Sequence, residues 1–388
     1  MSRLPELERR SRLALSQLVE PGSWPVHEAV AEVGAAAVVA VLRAGRPALG
    51  LSAALTAAAQ ARAAGLDVDQ DLARLSGCGG RLVCPGDDEW PAARLSWPRG
   101  SAQLAAPPLA LLVRGPVPLD EVVERSVALV GARAASAYGE HVAGELATGL
   151  ADEGVSVVSG GAYGIDGAAH RGALASGRAP TVAVLACGVD VAYPRGHDRL
   201  LSRIAERGLL VSEHAPGATP TRVRFLVRNR LIAALSRGTV VVEAALRSGS
   251  LSTAGRARDL LRPVLAVPGP VTSALSAGCH ALLRRAEGEE PAELVTGVRE
   301  VLAAVCPVGE HDASPGRGAD RPRDALPELV RGVLEAVPVR GGAGEATIAR
   351  AAGVPVLVVQ QVLPPLLVAG LVERCESGWR LSPLGAGR

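Results

Sequence analysis

Two features of the sequence predict an α/β fold built on an extended, Rossmann-like, doubly wound parallel sheet. Six short apolar runs (Val127–Val130, Val155–Val158, Val182–Ala186, Leu209–Val211, Thr239–Val242 and Val264–Val267) start 25–30 residues apart. Most of the gaps between them hold an Ala-, Arg- and Glu-rich stretch with helical spacing. Continuous Val-rich runs suit strands buried on both faces of a sheet, and the spacing is that of repeated βαβ units.

The elements around this core are read in chain order. Residues 1–80 are rich in Ala and Leu, with helical spacing in Ser11–Val19, His27–Arg43 and Leu51–Ala64. Gly45-Arg46-Pro47 and Gly65 serve as breakers, so an N-terminal helical domain of the SAM or helix-hairpin kind is expected. Residues 81–302 hold the Rossmann-like domain. Residues 303–325 are rich in Pro, Gly and Asp without periodicity and read as a linker. Residues 326–388 follow as helices Leu326–Ala336, Glu345–Ala352 and Pro355–Ala369, then two short strands, Leu371–Arg374 and Gly378–Leu381. Three helices and a hairpin within sixty residues describe a winged helix.

Composition narrows the function. The chain has 388 residues, 48% of them apolar and 21% charged, which suits two or three domains and excludes global disorder. Its 41 basic and 39 acidic side chains leave a net charge of +2, so any nucleic-acid surface is local rather than a uniform basic coat. All 41 cations are arginines. The absence of lysine excludes a Walker-type ATPase and Schiff-base chemistry. Aromatics are scarce as well, with four Trp, three Tyr and a single Phe, Phe225. Codon usage in a GC-rich genome accounts for both biases.

The six cysteines are scattered and form no CxxC pair, which suits reduced cytosolic thiols. Arg3, Glu6, Glu8, Arg9 and Arg10 precede any apolar stretch, so no secretory leader is expected. Ala351 to Val372 is uncharged and long enough to span a bilayer, but Gln360, Gln361, Pro364 and Pro365 lie at its centre. It reads as part of a soluble, cytoplasmic chain.

In an open parallel sheet, ligands bind at the carboxyl ends of the strands. The first strand runs into Gly131-Ala132-Arg133 and on to Ser136-Ala137-Tyr138-Gly139; the second runs into Ser159-Gly160-Gly161-Ala162-Tyr163-Gly164-Ile165-Asp166. Glycines let backbone N–H groups approach an anion, and Arg133 can clamp a phosphate. The structural alternative is a pair of tight turns. No GxGxxG, GxSxG or HExxH motif occurs, which disfavours a nicotinamide dehydrogenase, a serine hydrolase and a zinc protease. Asp166 and His170 share a helical face and read as a cap and a packed histidine.

Thr221 to Arg230 carries Arg222, Arg224, Arg228 and Arg230 with Asn229 and no acid, centred on Phe225. Arginines that track phosphates around an aromatic on which a base stacks form a pattern for single-strand binding. The alternative is a solvated charged face.

At this point the residues match a family. SGGAYGID with AH (159–170), CG (187–188), YP (193–194), SE (212–213), FLVRNR (225–230), SGSLSTA (248–254) and AVPG (266–269) fall in order. Together with GAR (131–133) and SAYG (136–139), they resemble the DNA-processing protein A family, also called DprA or Smf, over roughly residues 85–285. Tyr163, His280 and Gly255–Arg262 depart from the family pattern.

The resemblance implies single-stranded DNA binding without catalysis or cofactor, and loading of the RecA recombinase onto strands taken up in natural transformation. It also implies a homodimer built head to tail through the Rossmann-like domain. It places a phosphate pocket on Gly131, Arg133, Ser159, Gly160, Gly161 and Gly164, and DNA contacts on Arg222 and Phe225 with Arg228, Asn229 and Arg230 alongside. Two alternatives stand beside it. A nucleotide phosphoribohydrolase would need a PGGxGT loop with a catalytic glutamate, which Gly238-Thr239 with Glu243 and Pro268-Gly269-Pro270 do not assemble. A transcription regulator would use the winged helix.

Overall fold

The computed structural model describes residues 3–100, 104–284, 290–306 and 326–385. They fall into two compact units, one within Met1–Ala313 and one within Ser314–Arg388. All but the first four residues of the expected linker lie outside the described residues. Those four end a helix instead of starting a linker, because Val305 packs into the core of the first unit.

The first unit opens with five helices: α1 (Glu6–Leu18), α2 (Trp24–Val33), α3 (Ala35–Ala44), α4 (Ala53–Ala63) and α5 (Val68–Gly77). The stretch expected as one helix over His27–Arg43 is two, because Gly34 takes φ +83° and turns the chain between α2 and α3. Nor do residues 1–80 stand apart. Leu13 of α1 and Leu75 of α5 share a core with Leu112, Ala183, Leu185 and Leu210 of the sheet.

The sheet follows with β1 (Gly80–Val83), β2 (Leu111–Arg114), α6 (Leu119–Glu124), β3 (Ser126–Val130), α7 (Ala137–Asp152), β4 (Ser156–Ser159), α8 (Ile165–Ser176) and β5 (Thr181–Val184). It continues through α9 (Asp198–Arg207), β6 (Leu209–Ser212), α10 (Arg222–Ala234), β7 (Thr239–Val241), α11 (Gly249–Asp259), β8 (Val264–Ala266), α12 (Ala277–Leu283), β9 (Glu293–Leu294) and α13 (Val298–Val305). The strand order is β1-β2-β6-β5-β4-β3-β7-β8-β9. All six runs named from the sequence are strands and pair in parallel, for example Val127 with Val157 and Leu129 with Val240. The added β1 and β2 run antiparallel at the β6 edge. They were not foreseen, because neither follows the βαβ spacing of the six runs.

Alternate residues of each strand serve opposite faces. Ala128, Val130, Val182, Val184 and Val211 pack under α6, α10 and α11. Val127, Leu129, Val157 and Val240 pack under α7, α8 and α13 on the other side. The chain visits β4, β5 and β6 on one side of β3 and then returns to place β7 on the other. That reversal leaves a crevice at the carboxyl ends of β3 and β7.

The second unit is a winged helix: α14 (Glu328–Glu335), α15 (Glu345–Ala352), α16 (Val356–Val368), β10 (Val372–Cys375) and β11 (Gly378–Leu381). Val333, Leu334, Ile348, Val359, Leu363, Leu366 and Trp379 form its core. Among the described residues no single helix is long and apolar enough to cross a membrane; α15 and α16 pass such a test only as a pair bent by 105°.

Helix α3 depends on a remote acid. The carboxylate of Glu8 accepts hydrogen bonds from the backbone N–H of Ala35 at 2.8 Å and of Ala36 at 3.4 Å, where Gly34 has no side chain to do so. Glu8→Ala is expected to lower stability by about 1 kcal/mol, read as a drop in the urea midpoint with an unchanged slope.

Candidate nucleic-acid interface

A cleft of about 790 Å³ opens at the crevice beside β3 and β7. Its walls come from the loop after β3, the first turns of α10 and the start of α11. Helix α10 begins where Thr221 caps it, its hydroxyl accepting from the Arg224 N–H. The helix ends in Leu231, Ile232, Ala233 and Ala234, all buried in the core. Its amino end carries Arg222 and Arg224 with no acid, although cations are unfavourable at that end of the helix dipole. For Arg222, which is exposed at the cleft, such a placement suits an anion from outside.

The helical period divides the arginine run between two faces. Arg222, Phe225, Arg228 and Asn229 line the cleft. Arg224 and Arg230 turn the other way, which corrects the reading of the whole run as one surface. Arg224 pairs with Glu20 at 2.7 Å and draws that carboxyl below its usual range. Arg230 is 1% exposed and forms a two-pronged pair with Glu213, both bonds at 2.8 Å. The acids that neutralise these two cations lie far from them in sequence, so the run alone gave no sign of them.

Phe225 is half-buried and belongs to none of the apolar cores. The guanidinium of Arg133 sits 4.5 Å from its ring centre and that of Arg228 5.8 Å. The ring of Tyr193 lies 5.6 Å away and is tilted by 46°. Arg133 and Arg222 are exposed, as is Arg247 on the far wall. Tyr193 and Arg247 were absent from the sequence-based site. Their signal was position: each follows a strand of the parallel sheet on its carboxyl side.

Arg228 is buried, and its guanidinium donates to the carbonyls of Gly160 (2.8 Å) and Val184. Burial pushes its pKa down to about 10, so it stays charged at neutral pH. Asn229 is also buried and donates to the Gly249 carbonyl at the start of α11. Arg228 and Asn229 thus brace the floor of the cleft.

The two glycine loops part company. Gly131, Ala132 and Arg133 of the first reach the cleft wall, whereas Ser159, Gly160, Gly161 and Gly164 of the second lie buried behind it. The Ser159 hydroxyl donates to the Leu129 carbonyl, and the Gly160 and Ala162 N–H groups donate to the Asp166 carboxylate. Burial raises the pKa of that carboxyl, and the nearby Arg228 opposes the rise. Gly164 takes φ +71°, and a Cβ there would stand 2.3 Å from the Ala132 carbonyl. The second loop packs tightly under the first, and two of its amide groups, those of Gly160 and Ala162, already have an internal acceptor. His170 is fully buried against the Thr181 hydroxyl at 2.8 Å, with burial pushing its pKa down to about 3. It is a packed neutral side chain.

The sequence model of a family described as DNA recombination-mediator protein A matches residues 81–305. A Mycobacterium tuberculosis protein bearing the DprA name is 52% identical over 330 residues, covering 82% of this chain and 81% of that protein. The DNA processing protein DprA of Streptococcus pneumoniae is 42% identical over 207 residues, covering 53% and 70%. The X-ray structure of DprA from Streptococcus pneumoniae superposes with a TM-score of 0.60 at 32% identity, covering 81% of this chain and 100% of that one.

The buried pair gives a direct test of where Arg230 belongs. Arg230→Ala leaves Glu213 buried and unpaired, and is expected to lower stability by about 3–5 kcal/mol in urea unfolding. Replacing both, Arg230→Met with Glu213→Leu, is expected to restore most of that loss. An Arg230→Ala protein as stable as the parent would contradict the pairing.

Proposed function

The chain belongs to the DNA recombination-mediator protein A family, and we propose that it binds single-stranded DNA along the cleft at the carboxyl edge of its sheet. One observation carries this reading: Phe225 stands at the cleft with the Arg133 guanidinium 4.5 Å from its ring and Tyr193 beside it. Aromatic rings on which bases stack, flanked by guanidinium groups that meet phosphates, bind single strands with little sequence preference. Arg222 and Arg247 extend the positive surface along the backbone path.

Family membership supports the wider role: processing of DNA taken up in transformation, loading of RecA onto the bound strand, and a cytoplasmic homodimer formed through the Rossmann-like domain. The role is one of binding rather than catalysis. Glu243, the nearest candidate for a hydrolytic carboxylate, is 2% exposed and engaged with Ser136, which supports that view. The winged helix is a poor alternative centre for reading DNA. Helix α16 carries no charged residue, and residues 326–385 hold five Glu against five Arg.

Electrophoretic mobility shifts with single and double strands test the reading. The single strand is expected to bind preferentially, with log affinity falling by about 0.7 per phosphate contact for each tenfold rise in salt. Arg133→Ala is expected to weaken binding by about 1.5–3 kcal/mol with little change in melting temperature. Affinity that stays flat with salt, or an unaltered Arg133→Ala protein, would overturn the proposal.

Phe225 separates stacking from packing. Phe225→Ala is expected to lose about 1–3 kcal/mol of DNA affinity. It should keep most of its stability, because a core phenylalanine truncated to alanine would lose roughly 3–5 kcal/mol. Phe225→Trp should bind DNA and melt near the parent temperature; early melting of both variants would assign the ring to the core.

A further inference from the structure

One residue outside the cleft holds the first glycine loop at both ends. Glu243 follows β7 and is 2% exposed. Its backbone carbonyl accepts from the Ala132 N–H at 2.7 Å. Its carboxylate accepts from the Ser136 N–H at 2.9 Å and from the Ser136 hydroxyl at 2.7 Å. Arg133, Ala134 and Ala135 are the three residues between these anchors, so the arginine that faces Phe225 sits on a span held at one end by the backbone of Glu243 and at the other by its carboxylate.

The surroundings are built for this carboxylate. Ser136 caps α7, so the negative charge lies at the favourable end of that helix. A Cβ on Gly139 would stand 2.4 Å from Glu243 Oε2, so only glycine there lets the carboxylate approach. The arrangement also fills the helix terminus that would otherwise attract a phosphate. A fixed negative charge behind a phosphate site opposes the ligand by like-charge repulsion. Toward a bound phosphate an acid here is therefore unfavourable, whereas the α7 terminus and the loop geometry both favour it.

We propose that Glu243 is a positioning residue for DNA binding, fixing the loop from Ala132 to Ser136 so that Arg133 is held over the Phe225 ring. The proposal rests on the single-strand reading of the cleft. It also makes a prediction of sign: a glutamate that acted only through its charge would weaken DNA binding, and neutralising it would tighten the complex. A glutamate that positions Arg133 does the opposite.

A mutant cycle on the full chain, with fluorescein-labelled oligo-dT followed by anisotropy, tests this. Glu243→Gln keeps the size of the side chain but leaves one acceptor for the two Ser136 donors. It is expected to weaken binding about tenfold while the melting curve confirms a folded protein. In an Arg133→Ala background the same change should have no further effect, because the residue it positions is gone. Ser136→Ala, which removes one bond and leaves the charge in place, should weaken binding in the same direction and carries the test if Glu243→Gln fails to fold. Parent-like or tighter binding by the neutral variant, or losses that add independently to that of Arg133→Ala, would overturn the proposal. Arg133→Ala binding like the parent would instead overturn the reading of the cleft itself.

Discussion

A single buried guanidinium seats the helix on which the cleft depends. Arg228 reaches from α10 to the carbonyls at the ends of β4 and β5, where the strands give way to loops and backbone acceptors lack ladder partners. A buried charge is tolerated when hydrogen bonds replace its hydration. Here they also fix the rotation of α10 about its axis. With that rotation set, Arg222 and Phe225 face the crevice, and Arg224 and Arg230 are committed to acids on the other side. The same guanidinium lies 5.8 Å from the Phe225 ring, so the element that holds the helix also supports its aromatic face.

The sheet was legible because buried parallel strands leave a plain record. Runs such as Val155–Val158 and Thr239–Val242 have no polar alternation, and each lies within a residue or two of an observed strand. The winged helix was legible for a different reason: glycine and proline punctuate its short helices, as at Gly353 and Pro355. What escaped notice was long-range partnering. Glu20 and Glu213 close off two of the four arginines of α10, and nothing near residues 221–230 announces them. Likewise, the Ser159–Gly164 loop has the composition of an anion cradle, but Asp166, a few residues on, already accepts from the Gly160 and Ala162 amides. Composition identifies a loop that can bind an anion; the rest of the chain decides whether an internal one is there first.

The two carboxylates nearest this crevice, Asp166 and Glu243, are both engaged by the protein's own donors. An acid that takes part in bond breaking must reach the substrate, directly or through a water. Asp166 meets the cleft but is bonded to two backbone N–H groups, and Glu243 is turned into the loop behind it. What the cleft offers a ligand is cationic and aromatic: guanidinium groups, one phenyl ring and one phenol. Such a surface suits the polyanion proposed for it.

The two-faced character of α10 has a mechanical side. Its front bears the cleft residues, while on its back Arg224 is tied to Glu20, in the turn between α1 and α2. One rigid helix thus borders both the crevice and the N-terminal helices, and neither neighbour can favour a particular seating of it without affecting the other. Linkage makes such coupling reciprocal: whatever free energy a strand in the cleft lends to one seating of α10, a partner gripping the N-terminal helices in that same seating returns to the strand. The N-terminal helices are far from being a separate module, and any effect of theirs on the proposed binding would pass through α10.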